Sequence, residues 1–229
     1  MKFKKLKLYT NQLEAEFEFY SKTLGFEVLE RNTNYFSVKI GWSELSFEKT
    51  QREYKYHYCF LIPSNKLNEA LKWMEKRTEI VNIENGKKTQ NFDSWNAESF
   101  YFYDASGNIA EFIVRYDLNN DVSDEFDISK VLGVNEMGMP TSNVKKINDQ
   151  LRTELQTEYW KGDIERFGTN GSQEGIFLLP NYNLKDIWFP TSIKIKPEPF
   201  EAVIENKERE YHIEYRNEKI KTTANIDNN

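Results

Sequence analysis

Cysteine and histidine are almost missing from this chain: its 229 residues hold one of the first, Cys59, and two of the second, His57 and His212. A single thiol cannot close a bridge within the chain, so the fold does not rest on disulfide staples. Without a CxxC pair or an HExxH motif, the commoner zinc and metalloprotease signatures are excluded, and the absence of GxSxG removes the hydrolase elbow. Phosphate-cradling loops are lacking too, since GTNGSQEG has glycines but neither the strand-to-helix setting nor the Lys-Ser/Thr ending, and reads as a hairpin. No apolar run approaches the roughly 20 residues of a membrane span. The opening MKFKKLKLY is basic, but an acidic, polar segment follows where a signal peptide would have an apolar core; it therefore reads as the first strand of a cytoplasmic protein. Charge of one sign is scarce as well. The 31 Lys and Arg are interspersed among 37 Asp and Glu, for a net charge of -6, without the basic patch that draws a phosphate backbone. Neither nucleic acid nor a membrane is an expected partner.

What the chain has in quantity is aromatic surface. It carries 5 Trp, 13 Tyr and 16 Phe, and each buried ring removes a large apolar area from water. With 30% charged residues, this predicts an aromatic core under a charged surface, in a chain long enough to bury it.

The most informative feature is a unit written three times in pattern more than in identity: a short strand, a polar break, then an amphipathic helix. KLKLYT leads into NQLEAEFEFYSKTLGF, with Leu13, Phe17, Tyr20 and Leu24 at helical spacing and Gly25 as the left-handed stop. YHYCFLIP leads into SNKLNEALKWMEKR, with Leu67, Leu71 and Met74 as the stripe. VNEMGMP leads into TSNVKKINDQLRTEL, with Val144, Ile147, Leu151 and Leu155. Asn11, Ser64 and Ser142 stand where an N-cap oxygen would accept the first free N–H groups. After each helix the period falls from about 3.6 to 2, the mark of strands: GFEVLER, YFSVKIG and ELSFEK in the first copy, TEIVNIE, SFYFYD and NIAEFIVR in the second. The unit is thus βαβββ, with DASGN (104–108) turning between the last two strands of the second. In the third copy ERFGTN, GIFLLP, EAVIEN and YHIEYR read as strands, and the proline-broken WFPTSIKIKPEPF as an extended connection. The expected divisions are modules at 1–52 and 53–117, a linker at 118–130, a third, divergent βαβββ-like module at 131–216, and a polar tail at 217–229.

Several residues have plain structural readings. Asp104 belongs to its turn, where Asp bonds its own backbone. His212 is a strand residue without chemistry. Cys59 shares a strand face with His57, which permits a Cys-His couple, but nothing cationic nearby in sequence would activate the thiol, and an inert buried thiol is the expectation. Trp95, Phe100 and Phe102 fill a core or line a pocket, Trp95 preceding a strand. Arg115 and Tyr116 end a strand where an anionic ligand could meet them.

The helix closed by FYSKTLGF, then YHYCFLI, then SFYFYDASGNIAEFIV, in that order, resembles the vicinal-oxygen-chelate superfamily, which includes glyoxalase I, extradiol dioxygenases, fosfomycin-resistance thiol transferases and bleomycin-binding proteins. The likeness covers residues 1–117. It implies an α+β fold in which paired βαβββ modules form a cupped mixed sheet around a ligand, with helices outside and metal ligands on first and last strands of modules. Carried over residue by residue, His57 falls on a family histidine and Glu111, in NIAEF, on the family carboxylate; the latter would also be the catalytic residue. Lys5 stands where the first-strand histidine should be, and an ammonium has no lone pair for Fe, Mn or Zn. The resemblance thus implies a degenerate site of His57 and Glu111, with Lys5 pairing Glu111 in place of a metal; a shifted alignment would turn Lys7 or Glu44 inward instead.

Two function classes follow. One is a small-molecule-binding protein of bleomycin-resistance type, with Lys5, His57, Glu111, Trp95 and Arg115 about its ligand. The other is a divalent-metal-dependent enzyme, either a glyoxalase-like lyase or isomerase or a ring-cleaving dioxygenase. Because an unpaired third module leaves sheet edges open, a homodimer is the expected assembly.

Overall fold

The structure, a computed structural model, describes residues 1–224. Three βαβββ modules follow one another. The first is β1 (Lys2–Thr10), α1 (Leu13–Glu18), β2 (Val28–Arg31), β3 (Tyr35–Ile40) and β4 (Ser43–Lys49). The second is β5 (His57–Leu61), α2 (Leu67–Glu75), β6 (Gln90–Phe92), β7 (Ala97–Tyr103) and β8 (Ile109–Arg115). The third is β9 (Gly133–Gly138), α3 (Val144–Leu155), β10 (Tyr159–Asp163), β11 (Phe167–Ser172) and β12 (Gly175–Pro180). After the connection 181–199 come three more strands without a helix: β13 (Phe200–Asn206), β14 (Arg209–Arg216) and β15 (Lys219–Ala224).

These form two mixed sheets, so the α+β class and the paired-module architecture hold, but the partners differ from those expected. The first module does not pair with the second. Sheet 1 runs β15-β14-β13-β1-β4-β3-β2, and sheet 2 runs β10-β11-β12-β9-β5-β8-β7-β6. Within each module the first and last strands are parallel, and modules join antiparallel through β1 with β13 and β5 with β9. EAVIEN and YHIEYR therefore leave the third module and complete the first. The physical reason is burial pattern. β5, β8, β9 and β12 are buried at every residue, and strands apolar on both faces belong at the centre of a sheet covered on both sides. β1 alternates buried and accessible residues, and so does β14, which suits a sheet with one solvated face. The third module finds its partner inside the chain, so its strands need no second copy to complete them.

The helices lie on the packed faces of the sheets, and one aromatic core joins Phe3, Phe36 and Phe47 of sheet 1 to Tyr58, Phe60 and Phe112 of sheet 2. All four stripe residues of α3 are buried, as are Phe17, Tyr20 and Leu24 of the first helix, which widens into a π-helical turn at Phe19–Thr23 before Gly25 at φ +83°. The expected caps are displaced: Gln12, Lys66 and Asn143 hold the N-cap positions, and only Asn143 bonds through its side chain, accepting from Lys146 N at 2.9 Å. TEIVNIE contributes a lone bridge at Ile80; the outer strand is Gln90–Phe92 instead. The expected linker is anchored, since Phe126 is buried against Trp73. Residues 219–224 of the expected tail form β15, and 225–229 lie outside the described residues.

Two details tie the first module to the second sheet. Gly41, at φ +51° in the β3–β4 turn, lies so close to the strand entering β9 that a Cβ there would stand 1.9 Å from the Leu132 carbonyl oxygen. Glu16 of α1 is buried beside the DASGN turn, where Ser106 N and Asn108 Nδ2 donate to Glu16 Oε1 and also to the Asp104 carboxylate. Asp104 accepts from its own turn at Asn108 N (2.8 Å) and from the Tyr58 hydroxyl. Burial, then the neighbouring Asp104 charge, holds the Glu16 carboxyl well above its ordinary range, and burial raises Asp104; the pair keeps a proton.

Gly41→Ala is expected to lower the unfolding free energy by about 3 kcal/mol, against about 1 kcal/mol for Gly86→Ala, because both carry the left-handed penalty but only the first meets backbone; Gly86 has φ +71° and open space. Urea titration of the two variants checks the difference. Because the folded state binds the extra proton, stability contributed by Glu16 is present below the unfolded carboxylate range and lost as pH rises through the raised folded value. Glu16→Gln should therefore gain on the parent as pH rises above the unfolded carboxylate range, read from unfolding midpoints at acid and neutral pH.

Candidate metal centre

The concave face of sheet 2 is covered by the connection 181–199 and encloses a chamber of about 320 Å³. Its floor is set by strand register. In β5, Cys59 lies opposite Glu111 on one side, in the parallel β8, and opposite Glu136 on the other, in the antiparallel β9. His57, two residues along β5, shares their face. One donor atom from each of His57, Glu111 and Glu136 lies within 4.8 Å of the others, and all three residues are buried.

His57 Nδ1 stands 3.2 Å from the Ile109 carbonyl oxygen. A carbonyl only accepts, so Nδ1 carries the hydrogen and Nε2 the lone pair. That lone pair faces Glu111 Oε2 at 3.4 Å. Burial lowers the imidazole to about 4, so it is neutral at ordinary pH. Burial first, and the adjacent Glu136 second, push Glu111 well above the carboxylate range. Glu136 is raised by burial and drawn back by Arg115, whose Nη2 contacts its carboxylate while Nε donates to Asn135 Oδ1 at 2.9 Å. Two ionised carboxylates with oxygens within 4.8 Å of one another repel by about 3 kcal/mol or more even at an effective dielectric of about 20. The arrangement is satisfied by Glu136 ionised against Arg115 with a proton on Glu111, or by a cation among the three donors. One imidazole nitrogen and two carboxylate oxygens suit a divalent ion of the Mn, Fe or Zn kind, and a carbonyl on the far ring nitrogen is the usual support for a ligating histidine.

The structure brings together His57 and Glu111 as expected, but not Lys5. A bulge in β1 between Phe3 and Lys5 keeps the latter on the open face of sheet 1, where its side chain is 62% exposed and pairs with Glu44 at 3.0 Å. Neither Lys7, paired with Glu48 and Glu201, nor Glu44 replaces it. The third donor is Glu136, which the sequence reading passed over although VNEMGMP was recognised as a module's first strand. The signal was there: a lone carboxylate in a strand otherwise fit for a core, at the position in the third copy that β1 and β5 hold in theirs. Arg115, expected to meet a ligand, is fully buried; its Nη2 pairs with Glu136 and its Nε with Asn135, while Nη1 has no hydrogen-bond partner among the described residues. Trp95 lines the chamber and packs on Phe92 and on Trp160, the ring centroids 5.9 and 5.1 Å apart, so the turn after β6 meets β10 across the concave face. Trp188 of the connection lies 4.9 Å from the His57 ring. Cys59 is buried beneath the site, and burial, then the two carboxylates, raise its thiol; it is an inert neighbour. His212 lies in sheet 1, away from this centre.

No protein-family model matches the sequence, and no curated protein matches it. Among solved structures, a Bacillus subtilis protein provisionally described as a dioxygenase aligns over 98% of this chain and 84% of its own, with a TM-score of 0.62 at 13% identity. A lactoylglutathione lyase from Agrobacterium tumefaciens aligns over 48% of this chain and 91% of its own, at 19% identity and a TM-score of 0.40. A glyoxalase/bleomycin resistance protein/dioxygenase from Nocardioides aligns over 50% and 83%, at 19% identity and 0.42. The full-length match shows the fold alone: the chain shares the multi-module, paired-sheet architecture of the Bacillus subtilis protein.

Arg115→Met should destabilise the protein by about 3–5 kcal/mol near neutral pH, since it strands a buried carboxylate. The deficit should shrink on acidification, as Glu136 takes up a proton; denaturant midpoints at two pH values test both the size and the trend.

Proposed function

We propose that the protein binds a divalent metal ion through His57 Nε2, Glu111 and Glu136, and with it a small organic molecule in the chamber of sheet 2. The observation that carries this reading is the imidazole lone pair aimed at a carboxylate, with a second carboxylate beside it, all three buried at the floor of an aromatic-lined chamber. Three protein donors leave coordination positions open, as sites that act on a ligand do. Arg115 holds Glu136 in a fixed orientation and offsets part of its charge, while Trp188 packs against the His57 ring. A metal in such a site supplies Lewis acidity, polarising substrate oxygens and stabilising negative charge as it develops. Glu111 is then a ligand first, and the carboxylate nearest to any reacting group.

This favours the metal-dependent class over a metal-free binding protein, because the cation that argued for the latter, Lys5, stands in the other sheet. Which activity follows, whether lyase, isomerase or ring-cleaving dioxygenase, depends on the ligand, and the fold hosts many chemistries.

Chelator-stripped protein titrated with Mn(II), Fe(II) and Zn(II) should bind one equivalent. Glu136→Gln and His57→Ala should each weaken that binding by about 100-fold, roughly 2.7 kcal/mol. Lys5→Ala should leave it unchanged. Affinity should rise with pH as Glu111 sheds its proton, with no added step from His57 until the pH falls toward 4. Tight metal binding unaffected by Glu136→Gln would overturn the assignment.

A further inference from the structure

Besides the donor atoms at its floor, the chamber has a feature the metal centre does not use. Arg166, in the turn between β10 and β11, and Lys185, in the connection 181–199, both line it. Arg166 is exposed and Lys185 half-buried, so they stand at the mouth while the three donors lie within. Among the described residues neither makes an ion pair, not even with the adjacent Glu165 or Asp186, in a chain whose net charge is -6. The Lys185 ammonium donates to the Ile187 carbonyl at 3.2 Å and stands 5.8 Å from the centre of the Phe167 ring. The two cations feel one another: burial and then the Arg166 charge lower the proton affinity of Lys185, and the Lys185 charge in turn disfavours protonation of His57. Two like charges held together beside apolar walls cost free energy unless an anion comes between them. A guanidinium and an ammonium together offer the planar fork and the point charge that suit a carboxylate.

The walls say what the anion is attached to. Between mouth and floor lie Trp95, Tyr101, Trp188 and Phe189, with Phe189 edge-on to Tyr101 at 5.9 Å. Ring walls favour planar, aromatic guests in stacked or edge-on contact. At about 320 Å³ the chamber is at the small end of ligand sites, which run from about 300 to 1,000 Å³, so one ring fits.

We propose that Arg166 and Lys185 select the ligand of this chamber: a small aromatic or otherwise planar carboxylate, its anionic group at the mouth between the two cations and its opposite edge directed at the His57, Glu111 and Glu136 donors. This rests on the chamber being the ligand site, as proposed above, but not on a metal being bound.

The test therefore uses chelator-stripped full-length protein and two isosteric probes, benzoate and benzamide, read by tryptophan fluorescence, since Trp95 and Trp188 face the chamber, and by calorimetry. The parent should prefer benzoate by about tenfold or more. Arg166→Gln combined with Lys185→Gln should abolish that preference while changing benzamide binding less than about twofold, since both positions reach solvent and hold no packed core. Lys5→Ala, whose side chain lies on the open face of the other sheet, should keep the preference. Equal binding of the two probes by the parent, no binding of either, or a preference that survives the double substitution would each overturn the proposal. Loss of metal binding with the benzoate preference intact would instead sink the metal assignment alone.

Discussion

Everything at the candidate centre depends on one strand lying between two others in a fixed register. β5 is flanked by β8 in parallel and by β9 in antiparallel fashion, with Cys59 opposite Glu111 and Glu136 at once. A slip of one residue in either ladder would turn a carboxylate to the opposite face, into the helix-packed aromatic core, where no partner waits for it. The register is held from below by that core, in which Tyr58 and Phe60 of β5 meet Phe112 of β8 and Val134 and Met137 of β9. The apolar face thus positions the polar one.

The same constraint explains why the two sheets, built on one plan, differ chemically. The open face of sheet 1 forms a hollow of about 620 Å³ whose lysines and glutamates are largely matched, Lys5 with Glu44, Lys7 with Glu48 and Glu201, Lys221 with Glu214. Such exposed pairs are worth little individually and leave no charge in need of a ligand. In sheet 2 the connection 181–199 and the Trp95–Trp160 contact bury the floor of the chamber, so charge there is expensive: Glu136 is answered by Arg115, Glu111 by a proton or a metal. Burial converts an ordinary surface composition into a reactive one.

The prolines and aromatic residues of the connection matter here. Read from sequence, WFPTSIKIKPEPF is an extended crossing that no sheet could absorb, and it crosses from β12 of sheet 2 to β13 of sheet 1. Its route over the concave face places Trp188 on His57 and brings Lys185 to the mouth. The segment that appears merely to break the third module therefore roofs the site.

The sequence by itself determined the βαβββ unit, its repetition, the helix stripes and the α+β class, because these follow from local periodicity and from turn residues such as Gly25 and Asp104. His57 and Glu111 were marked by the family resemblance carried over residue by residue, since strand pattern alone reads a lone buried histidine as a core residue. Only tertiary structure decided which modules share a sheet, and with that the exclusion of Lys5, the inclusion of Glu136 and the use of Arg115 inside the protein. The reason is that pairing between modules is chosen by edges and burial across more than 70 residues of chain, from His57 to Glu136, whereas periodicity reports only which side of its own strand a residue occupies.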